Sequence, residues 1–334
     1  MTQKFSSGFI GGGNMAEALI KGLASDYRII VSDIVEERRT FLKNTYAVSV
    51  TDKNTEVVEK AETLIIAVKP HHVDTVLAEI KPVLKPSHLI LSIAAGISTS
   101  HICSLTGEHQ KVIRIMPNTP ALVGQGMSVI VSDSGVPDED LKKAEKIFST
   151  VGRTLLLEEK YINAATALSG SGPGFIFLMI EALIDGGVKI GLPRATARDL
   201  TLQTFLGSAQ LALTTNRHPA LLKEMVTSPG GTTITGIHML EQIGIRGALM
   251  NAVEAAALKV EIEDVKIERG RVYVNVKSLN HAYTKASLRL EPHRRSHGGR
   301  AYDHVALKTE KGYIPLEMIR SEHEEKLWNT LLND

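Results

Sequence analysis

The stretch GFIGGGNMAEA, residues 8–18, decides how the rest of the chain is read. FSSGFIG runs into it as a short apolar strand. NMAEALIKGLA leaves it as a helix with Ala16, Leu19, Ile20 and Leu23 on one face. Between the two lie Gly11, Gly13 and Ala16, spaced as the G-x-G-x-x-A variant of the dinucleotide fingerprint. Gly11 permits the tight turn, Gly13 lets a pyrophosphate approach the backbone, and the small Ala16 lets the helix pack on its strand. The helix start then presents N–H groups and the positive end of its dipole to the phosphates.

Working outward, YRIIVSD, TLIIAVKP, LILSIAAG and KVIRIMP are short buried strands ending in polar, Gly or Pro turns, and EERRTFLKN is a helix among them. Strands spaced by helices imply βαβ units and a Rossmann-type doubly wound parallel sheet over residues 1–157. From residue 158 to 258 the pattern turns helical, broken by Gly and Pro at 169–174, 191–193 and 228–231. Residues 259–334 change again. VEIEDVKI and RVYVNVK alternate as a β-hairpin, EPHRRSHGGR reads as a basic loop, and a last amphipathic stretch carries Leu327 and Leu331. The expected organisation is a nucleotide-binding domain, an all-α domain and an α+β extension of unknown fold.

With 334 residues, 43% hydrophobic and 22% charged, the chain has the composition of a soluble protein of at least two domains. A formal net charge of +1 gives no field suited to nucleic acid or an anionic membrane. The single cysteine, Cys103, cannot pair internally, and MTQKFSSGFIGGGN lacks the pattern of a targeting sequence, so a cytoplasmic enzyme is expected. PGFIFLMIEALIDGGVKIGLP, residues 173–193, is the longest apolar run. Glu181, Asp185 and Lys189 mark one narrow charged stripe along it, which predicts a helix deeply buried among other helices and suited to an interface. His293 and His297 are the only tail histidines at helical metal-site spacing; Arg-Arg-Ser between them and Gly-Gly after them argue against zinc, and no metal is expected.

Ligands of a doubly wound sheet lie beyond the carboxyl ends of its strands. Asp33 ends the second strand, where an acid bonds the ribose 2′-hydroxyl of NAD and repels the 2′-phosphate of NADP; Arg38 and Arg39 follow and offer that phosphate a partner instead. The choice between NADPH and NADH therefore stays open. AVKP (Ala67, Val68, Lys69, Pro70) and SIAAG (with Ile93, Ala94, Ala95) end two further strands. In RIMPNTP, Asn118 and Thr119 either offer hydrogen bonds near the nicotinamide or only make a turn. SPGGTTITG, residues 228–236, sets Gly230 and Gly231 before Thr232 and Thr233 at a helix start, which suits a small carboxylate as well as a threonine cap. LSGSGP, residues 168–173, is a similar loop.

GFIGGGNMAEALIKGL, AVKPHHV, SIAAG, RIMPNTPALV, LSGSGPGFIF, GVKIGLPR and HPALLKEMVTSPGGTTI together resemble pyrroline-5-carboxylate reductase, in order, from residue 8 to about 258. The resemblance implies a Rossmann domain followed by helices that interlock across a homodimer, which can assemble further. It implies cofactor contacts at Ile10, Gly11, Gly12, Gly13, Asn14 and Met15, at Asn54, at Ala67–Pro70 and at Ile93–Ala95, with substrate on Thr232 and Thr233. It is silent on residues after about 259. The implied reaction is hydride transfer from NAD(P)H to the cyclic imine, giving proline. The Gly230–Thr233 amides would fix the carboxylate, and the Thr233 hydroxyl would bond the ring nitrogen. Two other readings compete: a β-hydroxyacid dehydrogenase using Lys189 to take a proton, and a non-catalytic nucleotide-binding protein.

Overall fold

The computed structural model describes residues 6–132 and 135–257, and beyond them the backbone of five strands between Val260 and Pro315. The chain falls into two compact units, Met1–Ala248 and Leu249–Asp334.

The first unit begins with β1 (Ser6–Ile10), α1 (Asn14–Leu23), β2 (Arg28–Ser32), α2 (Glu36–Tyr46), β3 (Ser49–Thr51), α3 (Asn54–Lys60) and β4 (Thr63–Ile66). It continues with α4 (Val73–Ile80), β5 (Leu89–Ser92), α5 (Thr99–Thr106), β6 (Lys111–Met116), β7 (Gly126–Ser132), α6 (Asp138–Phe148) and β8 (Gly152–Leu156). These eight strands form one sheet in the order β3-β2-β1-β4-β5-β6-β7-β8. Strand β1 lies between β2 and β4, parallel to both, so the direction of winding reverses there and opens a crevice at the carboxyl ends.

The central strands are apolar on both sides because both faces are covered. Phe9, Val31, Ile65, Leu91 and Ile113 face one core with Leu19, Ile20 and Phe148. Their neighbours Ile10, Ile30, Leu64, Ile66, Ile90 and Val112 face the other with Leu77 and Ile102. Cys103 packs at the edge of this second core, with its Sγ 3.8 Å from the Gln110 carbonyl oxygen. Two strands depart from the parallel pattern: β7 runs antiparallel to β6, and β8 lies parallel to β7. Only a short 3₁₀ turn, Thr119–Val123, joins β6 to β7, and a parallel crossover needs a dozen or more residues.

After β8 come a short helix α7 (Ile162–Ala165), a π-helical turn over Thr166–Gly170, and then α8 (Gly172–Lys189), α9 (Arg194–Thr215), α10 (Pro219–Met225), α11 (Thr232–Gln242) and α12 (Ile245–Ala257). The expectation of a deeply buried α8 does not hold within one chain. None of its residues is buried, and Phe177 and Leu178 are 62% and 66% exposed. Helices α10, α11 and α12 bury nothing either, and α9 buries only Ala197. The all-round apolar pattern was read as burial, but sequence does not say which chain provides the cover.

In the second unit β9 (Val260–Glu268) pairs antiparallel with β10 (Arg271–Ser278), as the alternation predicts, with an irregularity at Asn275/Val276. Residues read as a basic loop are instead strand β11 (Arg289–His297), paired with β12 (Arg300–Thr309), which also pairs with β13 (Gly312–Pro315). Polar residues at successive positions hide the two-residue period there. The helix expected around Leu327 and Leu331 lies outside the described residues.

Asp140, on the first turn of α6 and 1% exposed, is the buried acid of the sheet domain, held by Lys111 Nζ and Lys143 Nζ at 2.8 Å each. Burial pushes its carboxyl up, but hydrogen bonds from the two lysines outweigh this and hold it below the ordinary value. Stability from a lowered folded-state value is present above the unfolded value and lost as pH falls through the folded one. Asp140→Asn is therefore expected to cost about 2 kcal/mol near neutral pH, a buried ion pair moderated by half-exposed lysines. Urea unfolding at about pH 7 and about pH 3 checks this: the gap between the two proteins should close on acidification.

Candidate functional site

The turn after β1 is shaped by close approach. The Gly11 amide donates to the Ser32 carbonyl at 2.9 Å and the Ala67 amide to the Ile10 carbonyl at 2.8 Å, drawing the ends of β2, β1 and β4 together. Gly11 has φ +95°, and a Cβ there would lie 2.8 Å from the Ala67 carbonyl oxygen. At Gly13 the opposite holds: a Cβ would meet nothing within 4 Å. Gly13 is the N-cap of α1 and supplies no side-chain cap, so the first amides of α1 face open space. A turn with no room for a side chain at Gly11, opening onto uncapped amides, fits a pyrophosphate.

Ala67, Val68, Lys69 and Pro70 follow β4, and Ile93, Ala94 and Ala95 follow β5, both beyond the carboxyl edge. Lys69, Pro70, Ala95 and Asn14 are exposed there, whereas Met15 and Val68 pack partly into the two cores. Ile10 is 1% exposed and Ala94 is buried, so both offer a ligand only their backbone.

At the end of β2 the Asp33 carboxylate is already engaged. Its Oδ2 accepts from the Gly12 amide at 2.7 Å and its Oδ1 from the Val35 amide at 2.9 Å. It thereby ties the glycine turn to the entry of α2, whose N-cap is Val35. Neither arginine is loose. Arg38 donates Nε to the Gly12 carbonyl and Nη2 to Glu17 Oε2, while Arg39 Nη1 donates to the Asp33 carbonyl at 2.7 Å. Asn54, at the start of α3, accepts from Ser32 Oγ at 2.7 Å and donates to Glu79 Oε2 at 2.7 Å. Glu17 was not singled out in the sequence, where it looks like any acid in a first helical turn.

Beyond β6, Asn118 does more than make a turn. Its Oδ1 accepts from the Met127 amide at 2.9 Å, and its Nδ2 donates to the carbonyl oxygen and Oγ of Ser169, both at 3.2 Å. Ser169 lies in LSGSGP, within the π-helical turn before α8. Arg114, on β6 and 5% exposed, pairs with Glu159 at 2.7 Å. These two ties fix the entry of the helical half against the β6 end of the sheet, and a π turn of this sort commonly marks a functional position.

The segment Ser228–Thr233 keeps its own geometry. Gly230 has φ +66°, a Cβ on Gly231 would overlap Ser228 Oγ, and Gly231 is the N-cap of α11 with no side-chain cap. Thr232 and Thr233 form the first turn, Thr232 exposed and Thr233 half-buried, with the helix-start amides free for an anion. Among the described residues, no hydrogen bond or ion pair joins this segment to the nucleotide turns. The structure brings together the five turns at the sheet edge and the LSGSGP loop, and among the described residues no hydrogen bond ties the threonines to them. No cluster of three or more His, Cys, Asp or Glu side chains suited to a metal occurs among the described residues.

Residues 159–261 match the family described as pyrroline-5-carboxylate reductase dimerisation, and residues 6–96 match NADP oxidoreductase coenzyme F420-dependent. The pyrroline-5-carboxylate reductase of Synechocystis sp. is 46% identical over 254 residues, covering 75% of this chain and 94% of the relative. Among solved structures, a pyrroline-5-carboxylate reductase from Coxiella burnetii is 36% identical with a TM-score of 0.72, covering 76% of this chain and 96% of that one. The Plasmodium falciparum enzyme with NADP bound is 35% identical with a TM-score of 0.70, covering 77% and 97%. The close approach at the first turn makes Gly11→Ala the sharpest test of the nucleotide site: the positive φ and the Ala67 oxygen both oppose a methyl group. It is expected to weaken NAD(P)H binding at least tenfold by fluorescence titration, about 1.4 kcal/mol. Unchanged affinity would mean that the turn does not carry the pyrophosphate. By its sequence over three quarters of its length and by its fold, the chain belongs to the pyrroline-5-carboxylate reductase family.

Proposed function

We propose that the reduction of Δ1-pyrroline-5-carboxylate to L-proline, the family's reaction and the last step of proline biosynthesis, runs here in a cleft shared by two copies of the chain. The observation that carries this is the state of α8–α12 in a single copy. Their apolar residues are exposed, and the Ser228–Thr233 cradle is unattached to the nucleotide turns of its own chain. A second copy packed on these helices would cover the first surface and bring its own cradle over the open edge. We therefore assign a homodimer, able to build larger assemblies of dimers. Residues 1–157 act as the nucleotide domain, 158–258 as the substrate and dimerisation domain, and 259–334 as an extension without an assigned role. We assign the enzyme to the cytoplasm; the lone cysteine, which cannot pair internally, supports this.

The nucleotide domain would hold NADPH or NADH through the Gly11–Met15 turn and α1, with Asp33 and Asn54 at the adenosine end. Ala67–Pro70, Ile93–Ala95 and Asn118 would lie along the rest. The bound nicotinamide supplies hydride to the imine carbon. Gly230, Gly231, Thr232 and Thr233 would orient the substrate: the helix-start amides take its carboxylate, and the Thr233 hydroxyl bonds the ring nitrogen. A cyclic imine is basic enough to be substantially protonated near neutral pH, so the site needs no strong general acid. Acceleration then rests on holding donor and acceptor in line. The dehydrogenase alternative fares worse in this geometry. Lys189 is exposed at the far end of the 18-residue α8, about 25 Å along the axis from the turn that Asn118 holds.

NAD(P)H oxidation on adding pyrroline-5-carboxylate tests the activity, with 3-hydroxy acids and NAD(P)+ as the comparison. Thr233→Ala is expected to lower kcat roughly 10- to 100-fold, the worth of one hydrogen bond to a charged group, while cofactor affinity changes little. A variant with wild-type kcat removes Thr233 from the mechanism. Light scattering on the full chain is expected to give a dimer or a multiple of it; an active monomer would overturn the shared cleft.

A further inference from the structure

The adenosine end of the nucleotide site contains a charge arrangement that the family assignment does not explain. The Gly12 peptide is gripped from both sides. Asp33 Oδ2 accepts its N–H at 2.7 Å, and Arg38 Nε donates to its carbonyl oxygen. The Arg38 guanidinium lies 5.1 Å over the Phe41 ring, with Nη2 on Glu17 Oε2 and 3.4 Å from the Gly13 carbonyl. Glu17 comes from α1, twenty-one residues earlier in sequence, and its second oxygen accepts from Tyr46 Oη at 2.8 Å. Both carboxylate oxygens are thus committed, one to each end of α2. Burial pushes the Glu17 carboxyl up, but the hydrogen bonds from Arg38 and Tyr46 outweigh it and hold it ionised below the ordinary value. With Arg39 turned onto the Asp33 carbonyl, both arginines that follow β2 point at protein oxygens.

In a dinucleotide fold the residue ending β2 meets the adenosine ribose. An acid there suits a free 2′-hydroxyl, and a nearby arginine suits a 2′-phosphate. Here Arg38 sits beside the same Gly12 peptide as Asp33, yet its positive charge is neutralised by a fixed carboxylate. A 2′-phosphate approaching it would meet Asp33 and Glu17 together, two acids against one shared guanidinium.

We propose that Glu17 is a specificity-determining positioning residue: by holding Arg38 it withholds the cation that a 2′-phosphate needs, and so leaves Asp33 to select NADH. This rests on the nucleotide site assigned above and does not depend on the identity of the imine. Removing the Glu17 charge frees Arg38 to turn to the phosphate. Removing Arg38 as well cancels the gain.

The test compares wild type, Glu17→Gln, Glu17→Asp, Arg38→Ala and the double variant Glu17→Gln/Arg38→Ala. The readouts are kcat/KM for NADPH over NADH, and calorimetric Kd for adenosine 2′,5′-bisphosphate over AMP. Glu17→Gln is expected to move both ratios toward the 2′-phosphate at least tenfold, with the change in cofactor KM and not in kcat. Glu17→Asp should return the ratios toward wild type, and the double variant should lose the gain. Ratios unchanged in Glu17→Gln, or a gain that survives Arg38→Ala, would overturn the proposal. If Glu17→Gln does not fold, Tyr46→Phe, which loosens the same carboxylate, must shift the ratios in the same direction; no shift there overturns it equally. The binding ratio needs no turnover, so absence of pyrroline-5-carboxylate reduction would sink the functional assignment and leave this result standing.

Discussion

A helix that is apolar around most of its circumference has to be covered by something, and among the described residues nothing buries α8. Helix α8 exposes Phe177, Leu178 and Leu183, α9 exposes Leu206 and Leu213, and α12 exposes Met250. At roughly 25 cal/mol for each Å² of apolar surface removed from water, such faces are a strong drive to association. The stretch Glu159–Lys189 is long and apolar enough to cross a membrane. Yet α9 and α11, whose sequences are mixed, also expose apolar side chains, and Glu181, Asp185 and Lys189 interrupt α8 itself. Partner helices of the same mixed character answer this surface better than lipid does, and the family's dimerisation region coincides with it.

The two halves of the unit Met1–Ala248 therefore stand differently toward their own stability. The sheet domain buries both faces of β1, β4, β5 and β6 under its own helices, so its core is complete within one copy. The helical half is anchored to that edge at few points. Asn118 with Ser169 and Arg114 with Glu159 are the polar ones, and Gly170 sits so near Met116 that a side chain there would displace it. Position is set at the root of the helices, and their apolar faces are left open among the described residues.

How much of this was legible follows from the range of each signal. The glycine turn, its strand and its helix are local, and Gly11, Gly13 and Ala16 could be placed by spacing alone. Strands β3, β7 and β8 went unnoticed; β7 and β8 lack the continuous apolar run of a central parallel strand, and β3 is three residues long. The strand inside EPHRRSHGGR is hidden by polar side chains at successive positions. Asp33 was rightly set at the end of β2, but its grip on Gly12 and the Glu17–Arg38 pair join residues about twenty apart, which no periodicity reports. Asn118 looked like half of a turn because its partner Ser169 is fifty-one residues away. The threonines of SPGGTTI could be assigned chemistry, since a helix start is local, but not a cleft, since what packs against them is not written in their own sequence.

The separation of Gly11 and Thr233 within one copy has a genetic counterpart. If each cleft takes its nucleotide turn from one chain and its threonine from the other, a mixed pair of chains, one damaged at Gly11 and one at Thr233, sorts its lesions unevenly. One cleft inherits both defects and the other inherits neither. Two alleles that are each inactive alone can then restore proline synthesis together, whereas two alleles damaged in the same half cannot. With a cleft so shared, loss-of-function mutations would fall into two complementation groups within a single gene, with the border running between the sheet and the helices.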